Sequence, residues 1–126
     1  MGVSVDIVRM GQGYDAMMNN PVMEELMAAN FRALGEDVTP YSEKIGLSSS
    51  DMGNVTRVLP GAQCYVKVKD DIKPHTAEFS EACVGENAKR ALLVGAKAMA
   101  MTAIDIFCEP AFLSNMRDAY RKQIEA

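Results

Sequence analysis

His75 is the only histidine in this 126-residue chain, and a charged turn, Lys69 to Pro74, delivers it. An imidazole can act as base, acid or metal ligand near neutral pH. Zinc, however, takes roughly three or four protein ligands drawn from His, Cys, Asp and Glu. Glu78 lies three residues on and no second histidine exists, so His75 cannot hold a metal by itself. The second stretch with chemistry in it is the polar loop Ser48 to Asn54, centred on Asp51 among Ser49, Ser50, Gly53 and Asn54. Such residues serve a turn or a helix cap. They also serve as a small-residue loop whose backbone N–H groups and hydroxyls bind a substrate carboxylate. Spacing leaves both open. A Ser49, His75, Asp51 triad can be drawn, but the strand-turn-helix elbow that exposes such a serine is absent.

The totals bound what these residues can belong to. The length is one domain's worth. Apolar residues make up 48% and charged residues 24%, the balance of an ordinary folded domain. The net charge of -4 and the interleaving of Lys67, Lys69 and Lys73 with Asp70 and Asp71 give no basic footprint, so no nucleic-acid partner is expected. Cys64, Cys83 and Cys108 are odd in number and share no close spacing, which suggests neither a disulfide framework nor a metal knuckle. They read as small buried apolar residues, and a reducing cytoplasm fits them. No signal peptide is expected, for lack of a basic segment, apolar run and cleavage site at the N-terminus. The most apolar run, Ala91 to Cys108, contains Lys97 and Asp105, so it is expected as a buried helix and no membrane span.

The elements that position the chemistry follow from periodicity. Val3, Val5 and Ile7 alternate with Ser4, Asp6 and Arg9 as in a half-buried strand, which Gly11 and Gly13 end. Asn20 and Pro21 open a helix with Glu24 and Glu25 in its first turn. Val22, Met23, Leu26, Met27, Ala33 and Leu34 mark its buried face and Gly35 closes it. Glu36 to Gly46 is turn-rich around Pro40, and Glu43 reads as solvated. Val55 to Leu59 and, after Pro60 and Gly61, Ala62 to Val68 read as strands. The second sets Ala62, Cys64, Val66 and Val68 on one face. From Glu86 a long helix carries Ala88, Ala91, Leu92, Gly95, Ala96, Met99, Ala103, Ile104 and Phe107 toward a sheet or another helix. Pro110 interrupts it, and a last helix shows Phe112, Leu113, Met116, Tyr120 and Ile124 as its stripe. The paired methionines Met17/Met18, Met23/Met27 and Met99/Met101 read as core. The fold expected is α/β, a small sheet covered by helices. About three strands is thin against the usual five, which hints at a missing part.

Taken together, Ser-Ser-Ser-Asp-Met-Gly-Asn-Val at 48–55, Pro60, His-Thr-Ala-Glu-Phe at 75–79 and Ala-Lys-Ala-Met-Ala-Met-Thr-Ala-Ile-Asp at 96–105 resemble the C-terminal part of the M-twenty metallopeptidase family. The likeness is to its amidohydrolases similar to aminobenzoyl-glutamate hydrolase and to aminoacylase-like dipeptidases, and it runs from about Gly11 to Tyr120. It implies that residues 1–13 form the last strand of an inserted lid, or dimerisation, domain and that 14–126 return to a zinc-peptidase-like catalytic domain. It implies that His75 is the last ligand of a two-metal zinc centre, with Ser49, Ser50, Asp51, Gly53 and Asn54 lining the pocket for a small amide or dipeptide. The family's other ligands and its general base belong to an N-terminal segment with no counterpart in this sequence. The chain is therefore expected not to hydrolyse on its own, and to act as a homo-oligomer or with a complementing N-terminal half. The alternative is a non-catalytic α/β module that pairs with another subunit.

Overall fold

The computed structural model describes residues 2–39 and 49–125. Pro40, Glu43, Gly46 and Ser48 lie outside the described residues. Five helices are found among them: α1 Pro21–Ala33, α2 Met52–Thr56, α3 Ala77–Ala82, α4 Glu86–Cys108 and α5 Pro110–Ile124.

The α1 boundaries follow from its end residues. Asn20 has extended backbone and its side chain accepts from the Met23 amide at 3.2 Å, while Pro21 takes the first helical position, where a missing N–H costs nothing. At the far end Gly35, at φ 82°, turns the chain left-handed. Its amide reaches the Arg32 carbonyl at 2.9 Å and the Glu36 amide reaches that of Phe31 at 3.1 Å. This double closure satisfies carbonyls that the helix cannot, and glycine adopts the required conformation without strain.

The core lies where α1 meets α4. Met27, Phe31 and Ala98 form its centre, with Met23, Leu34, Val38, Ala62, Val66 and Val94 packed around it. A polar link fixes the pair. Asn30 donates to Asp105 Oδ2 at 2.8 Å and to Thr102 Oγ1 at 3.1 Å, and Thr102 in turn donates to the Ala98 carbonyl at 2.8 Å. α5 packs on both helices, with Met116 buried. The fully buried Asn20 spans three segments. Its amide donates to the Gly61 carbonyl at 2.8 Å, its Nδ2 to the Met116 carbonyl at 2.8 Å, and its Oδ1 caps α1.

The α/β expectation is overturned: the structure is helical, with no strand or sheet among the described residues. Each expected strand fails for a physical reason. Val3, Val5, Ile7, Val8 and Met10 are all exposed and residues 2–10 are unassigned, because a strand without a ladder partner leaves half of its backbone groups unpaired. Val55 to Leu59 instead continues helical turns. The Val58 and Leu59 amides return to the Val55 carbonyl at 3.0 and 3.1 Å, local bonds that form without a distant partner. Over Ala62 to Val68 the Gln63 amide donates to Asn19 Oδ1 at 3.2 Å, a side-chain tie rather than a ladder. Ala62 and Val66 nonetheless face the core while Tyr65 and Lys67 face outward.

Burial corrects other expectations. All three cysteines are exposed and free. Met99 is 61% exposed rather than core. In α4 only Ala91, Ala98 and Thr102 are buried, whereas Leu92, Leu93, Ile104 and Phe107 are exposed. Among the described residues α4 is long and apolar enough to cross a membrane by length and composition.

Candidate functional site

The polar loop folds into α2 and its approach. Ser50 Oγ accepts from the Met52 amide at 3.2 Å and donates to Gln63 Oε1 at 3.1 Å. Asp51 stands at the N-cap position without a capping side-chain bond, and both it and Ser49 are exposed. The cap role open to Asp51 in the sequence is therefore filled by Ser50.

Gly53 and Asn54 hold the incoming chain. A Cβ on Gly53 would collide with the Asp15 carbonyl, so only glycine lets the 15–16 backbone cross α2 this closely. Asn54 Nδ2 donates to the Gly13 carbonyl and to Asp15 Oδ2, both at 3.3 Å, and its Oδ1 accepts from the Asp15 amide at 3.4 Å. The clasp continues through Thr56, fully buried, which accepts from the Met18 amide at 3.0 Å, and through Arg57, whose Nε donates to the Ala16 carbonyl at 3.1 Å. Tyr120 of α5 locks the far side by donating to the Arg57 carbonyl at 2.8 Å. Sequence reasoning missed Thr56, Arg57 and Tyr120. Their partners lie on distant segments, and nothing in local spacing announces them.

His75 sits in the turn before α3, exposed, with a left-handed φ of 63°. For a residue with a Cβ this conformation is uncommon and costs about 1–2 kcal/mol. Thr76 follows as the cap of α3, accepting from the Phe79 amide at 3.1 Å and donating to the Lys73 carbonyl at 2.8 Å. Lys69 bridges to Glu78 at 2.8 Å across the turn and Lys67 to Asp70 at 2.7 Å. These hydrogen bonds to Glu78 and Asp70 hold both ammonium groups above their usual range. Among the described residues no hydrogen bond or ion pair joins His75 to Ser49, Ser50, Asp51, Gly53 or Asn54.

The donors among the described residues do not build a metal centre. Glu78, the carboxylate nearest His75 in sequence, is engaged by Lys69. No group of three or more His, Cys, Asp or Glu side chains is placed to hold an ion among the described residues. Two shallow depressions lie elsewhere. One of about 230 Å3 is lined by Val68, Lys69, Ala82, Gly85, Glu86 and Asn87. The other, about 420 Å3, runs between Val66 and Val68 on one side and Ala88, Ala91 and Leu92 of α4 on the other.

Cys64 lies in a perturbing environment. The residue is exposed as a whole, yet its sulfur lies 3.8 Å from Met27 Sδ. Burial there, and then the nearby Glu24 carboxylate, push the thiol up from its ordinary range. Both causes disfavour the thiolate, the nucleophilic form of the side chain.

No protein-family model matches the chain. Two curated proteins do, both along 98% of this chain. The Xaa-Arg dipeptidase of Mus musculus is 32% identical and that of Homo sapiens 30% identical. The chain spans 29% of the length of each. What it is similar to, over nearly all of its own residues, is the C-terminal part of dipeptidases much longer than itself.

Proposed function

We propose that this chain is the C-terminal portion of a metal-dependent amidohydrolase that cleaves an amide bond to an amino acid, in a dipeptide or an N-acyl amino acid. The observation that carries this reading is the similarity along 98% of the chain to Xaa-Arg dipeptidases of which it spans 29%. In the complete unit His75 supplies one metal ligand, the other donors and the general base come from outside these residues, and Ser49, Ser50, Asp51, Gly53 and Asn54 shape the pocket. The exposure of His75, Ser49 and Asp51 leaves them free to meet such a complement. The chain by itself is inactive, since a polarised amide and an activated water need a metal site that one imidazole cannot build.

The test is a chimera in which this chain replaces the matching region of the mouse Xaa-Arg dipeptidase. Hydrolysis of an Xaa-Arg dipeptide, lost in the His75→Ala chimera, is the expected result; a folded chimera without activity would sink the reading. Calorimetry on the isolated chain gives an independent check. A one-to-one zinc site of micromolar affinity or tighter, abolished by His75→Ala, would show that the chain carries a sufficient ligand set after all.

The second reading is a non-catalytic module that pairs with another subunit. One observation favours it, the apolar outer face of α4. A chimera that folds but hydrolyses nothing would leave this reading in place.

A further inference from the structure

α4 is apolar on both sides. Its inner side, through Ala91, Ala98 and Thr102, meets α1 and α5. Its outer side carries Leu92 at 73%, Leu93 at 60%, Met99 at 61%, Ile104 at 59% and Phe107 at 86% exposure. Ala96, Ala100 and Ala103 lie between them, also exposed. A helix at the edge of a water-soluble domain shows charge on its outer face, and one that is apolar all round is covered on all sides. An exposed apolar surface running from Leu92 to Phe107 along a helix of 23 residues marks an interaction site.

The shape of the face narrows the occupant. With about 100° of turn per residue, Met99 and Ile104 stand about 140° apart around the axis with the alanines and Phe107 between them. A single helix from a second copy of the chain would cover only a narrow seam and leave one edge bare. A broad, layered apolar surface covers the whole width. The groove between Val66, Val68 and Leu92 extends the face sideways and makes it wider still. Lipid is a poor match, because Lys97 stands near mid-helix and Asp105 is tied to Asn30 on the inner side. What remains is the greater part of the dipeptidases' length, to which nothing in this chain corresponds.

We infer that the outer face of α4 is the docking surface for the remainder of a dipeptidase-like catalytic unit, a folded polypeptide that presents a broad apolar layer across Leu92, Leu93, Met99, Ile104 and Phe107. This rests on the reading proposed above. Docking there brings the exposed turn that bears His75 into the same assembly as the complement that supplies the other donors. A carboxylate on the partner's rim would pair with Lys97, which has no partner of its own among the described residues.

The test is copurification of the full chain with the mouse Xaa-Arg dipeptidase from which the matching region has been removed, followed by light scattering. The expected result is a one-to-one complex that Leu92→Glu with Phe107→Glu weakens at least tenfold while the helical circular dichroism of the chain is unchanged. Met99→Lys, a milder change, weakens it in the same direction. Several results would overturn the inference: no complex, a complex indifferent to these substitutions, a dimer of the chain closed through α4 that excludes the truncated enzyme, or α4-dependent flotation with phosphatidylcholine vesicles. Dipeptide hydrolysis by the complex is scored separately. An inactive complex that depends on α4 sinks the catalytic reading and spares the surface, whereas an active one insensitive to Leu92 and Phe107 does the reverse.

Discussion

At the scale of single residues, the side chains best placed to do chemistry and those that hold the fold are largely different sets. Asn20 is structural. Replacing it by Ala removes a helix cap, worth about 1 kcal/mol, and a second hydrogen bond to the Met116 carbonyl, worth about 0.5–1.5 kcal/mol, so Asn20→Ala should lower the urea midpoint by the equivalent of about 1.5–2.5 kcal/mol. Gly53→Ala should be similarly costly, because the Asp15 backbone must move away from α2. His75 behaves oppositely. With its φ of 63°, His75→Gly should stabilise the isolated chain by about 1 kcal/mol and at the same time abolish activity in the chimera. Equal or lower stability of that variant would show that the left-handed conformation at His75 stores no strain. Cys64 adds a pH dependence. Its thiol is raised in the folded chain, so the folded state keeps a proton that the unfolded state releases. The stability this confers is fully present below about pH 8.5, the unfolded thiol's range, and falls as pH rises above it. Alkylation of Cys64 at pH 8 should therefore be slower in the folded chain than in the chain unfolded by urea, and equal rates would contradict the assignment.

At the scale of elements, what could be read from the sequence was whatever is encoded locally. The start of α1 at Asn20 and Pro21, its end at Gly35, and the break between α4 and α5 at Pro110 are end signals within a few residues of the event they cause, and the structure has each of them. The strands were misread because alternation at Val3 to Ile7 and Ala62 to Val68 describes which side chains share a face, whereas a strand also needs a neighbour to bond with. The short helices α2 and α3 were not foreseen, since five and six residues give too few turns for a period to show. The candidate site was legible as residue types in the Ser49 to Asn54 loop and at His75. The clasp through Thr56, Arg57 and Tyr120 was not, because it is made by contacts across the chain. The α1–α4 link makes the element scale testable. Asn30→Asp sets a second carboxylate against that of Asp105, and like charges at such a distance destabilise the helix pair. The variant should be much less stable than wild type at pH 7 and recover as pH falls and one carboxyl takes a proton. A pH-independent loss of stability would mean that the link is steric rather than electrostatic.

At the scale of the whole molecule, the fold spends its apolar residues in two places, and only one of them stabilises the chain alone. The core around Met27, Phe31 and Ala98 is small, while the outer face of α4 is in water. Burial stabilises by about 25 cal/mol for each Å2 of apolar area removed from water, so residues that remain exposed contribute almost nothing to the isolated chain whatever their size. Substitutions in the two regions should then separate cleanly in denaturant unfolding of the full chain. Met27→Ala should cost about 2–5 kcal/mol through lost burial and a cavity, and Ala98→Leu about 1–3 kcal/mol through overpacking against α1. Leu92→Lys and Phe107→Lys, though they replace large apolar side chains in the most apolar helix, should change stability by no more than about 0.5 kcal/mol and should make the chain more soluble. If Leu92→Lys instead unfolds the isolated chain, the outer face of α4 is already covered by the chain itself in solution, and the division between a self-sufficient core and a face that waits for a partner does not hold.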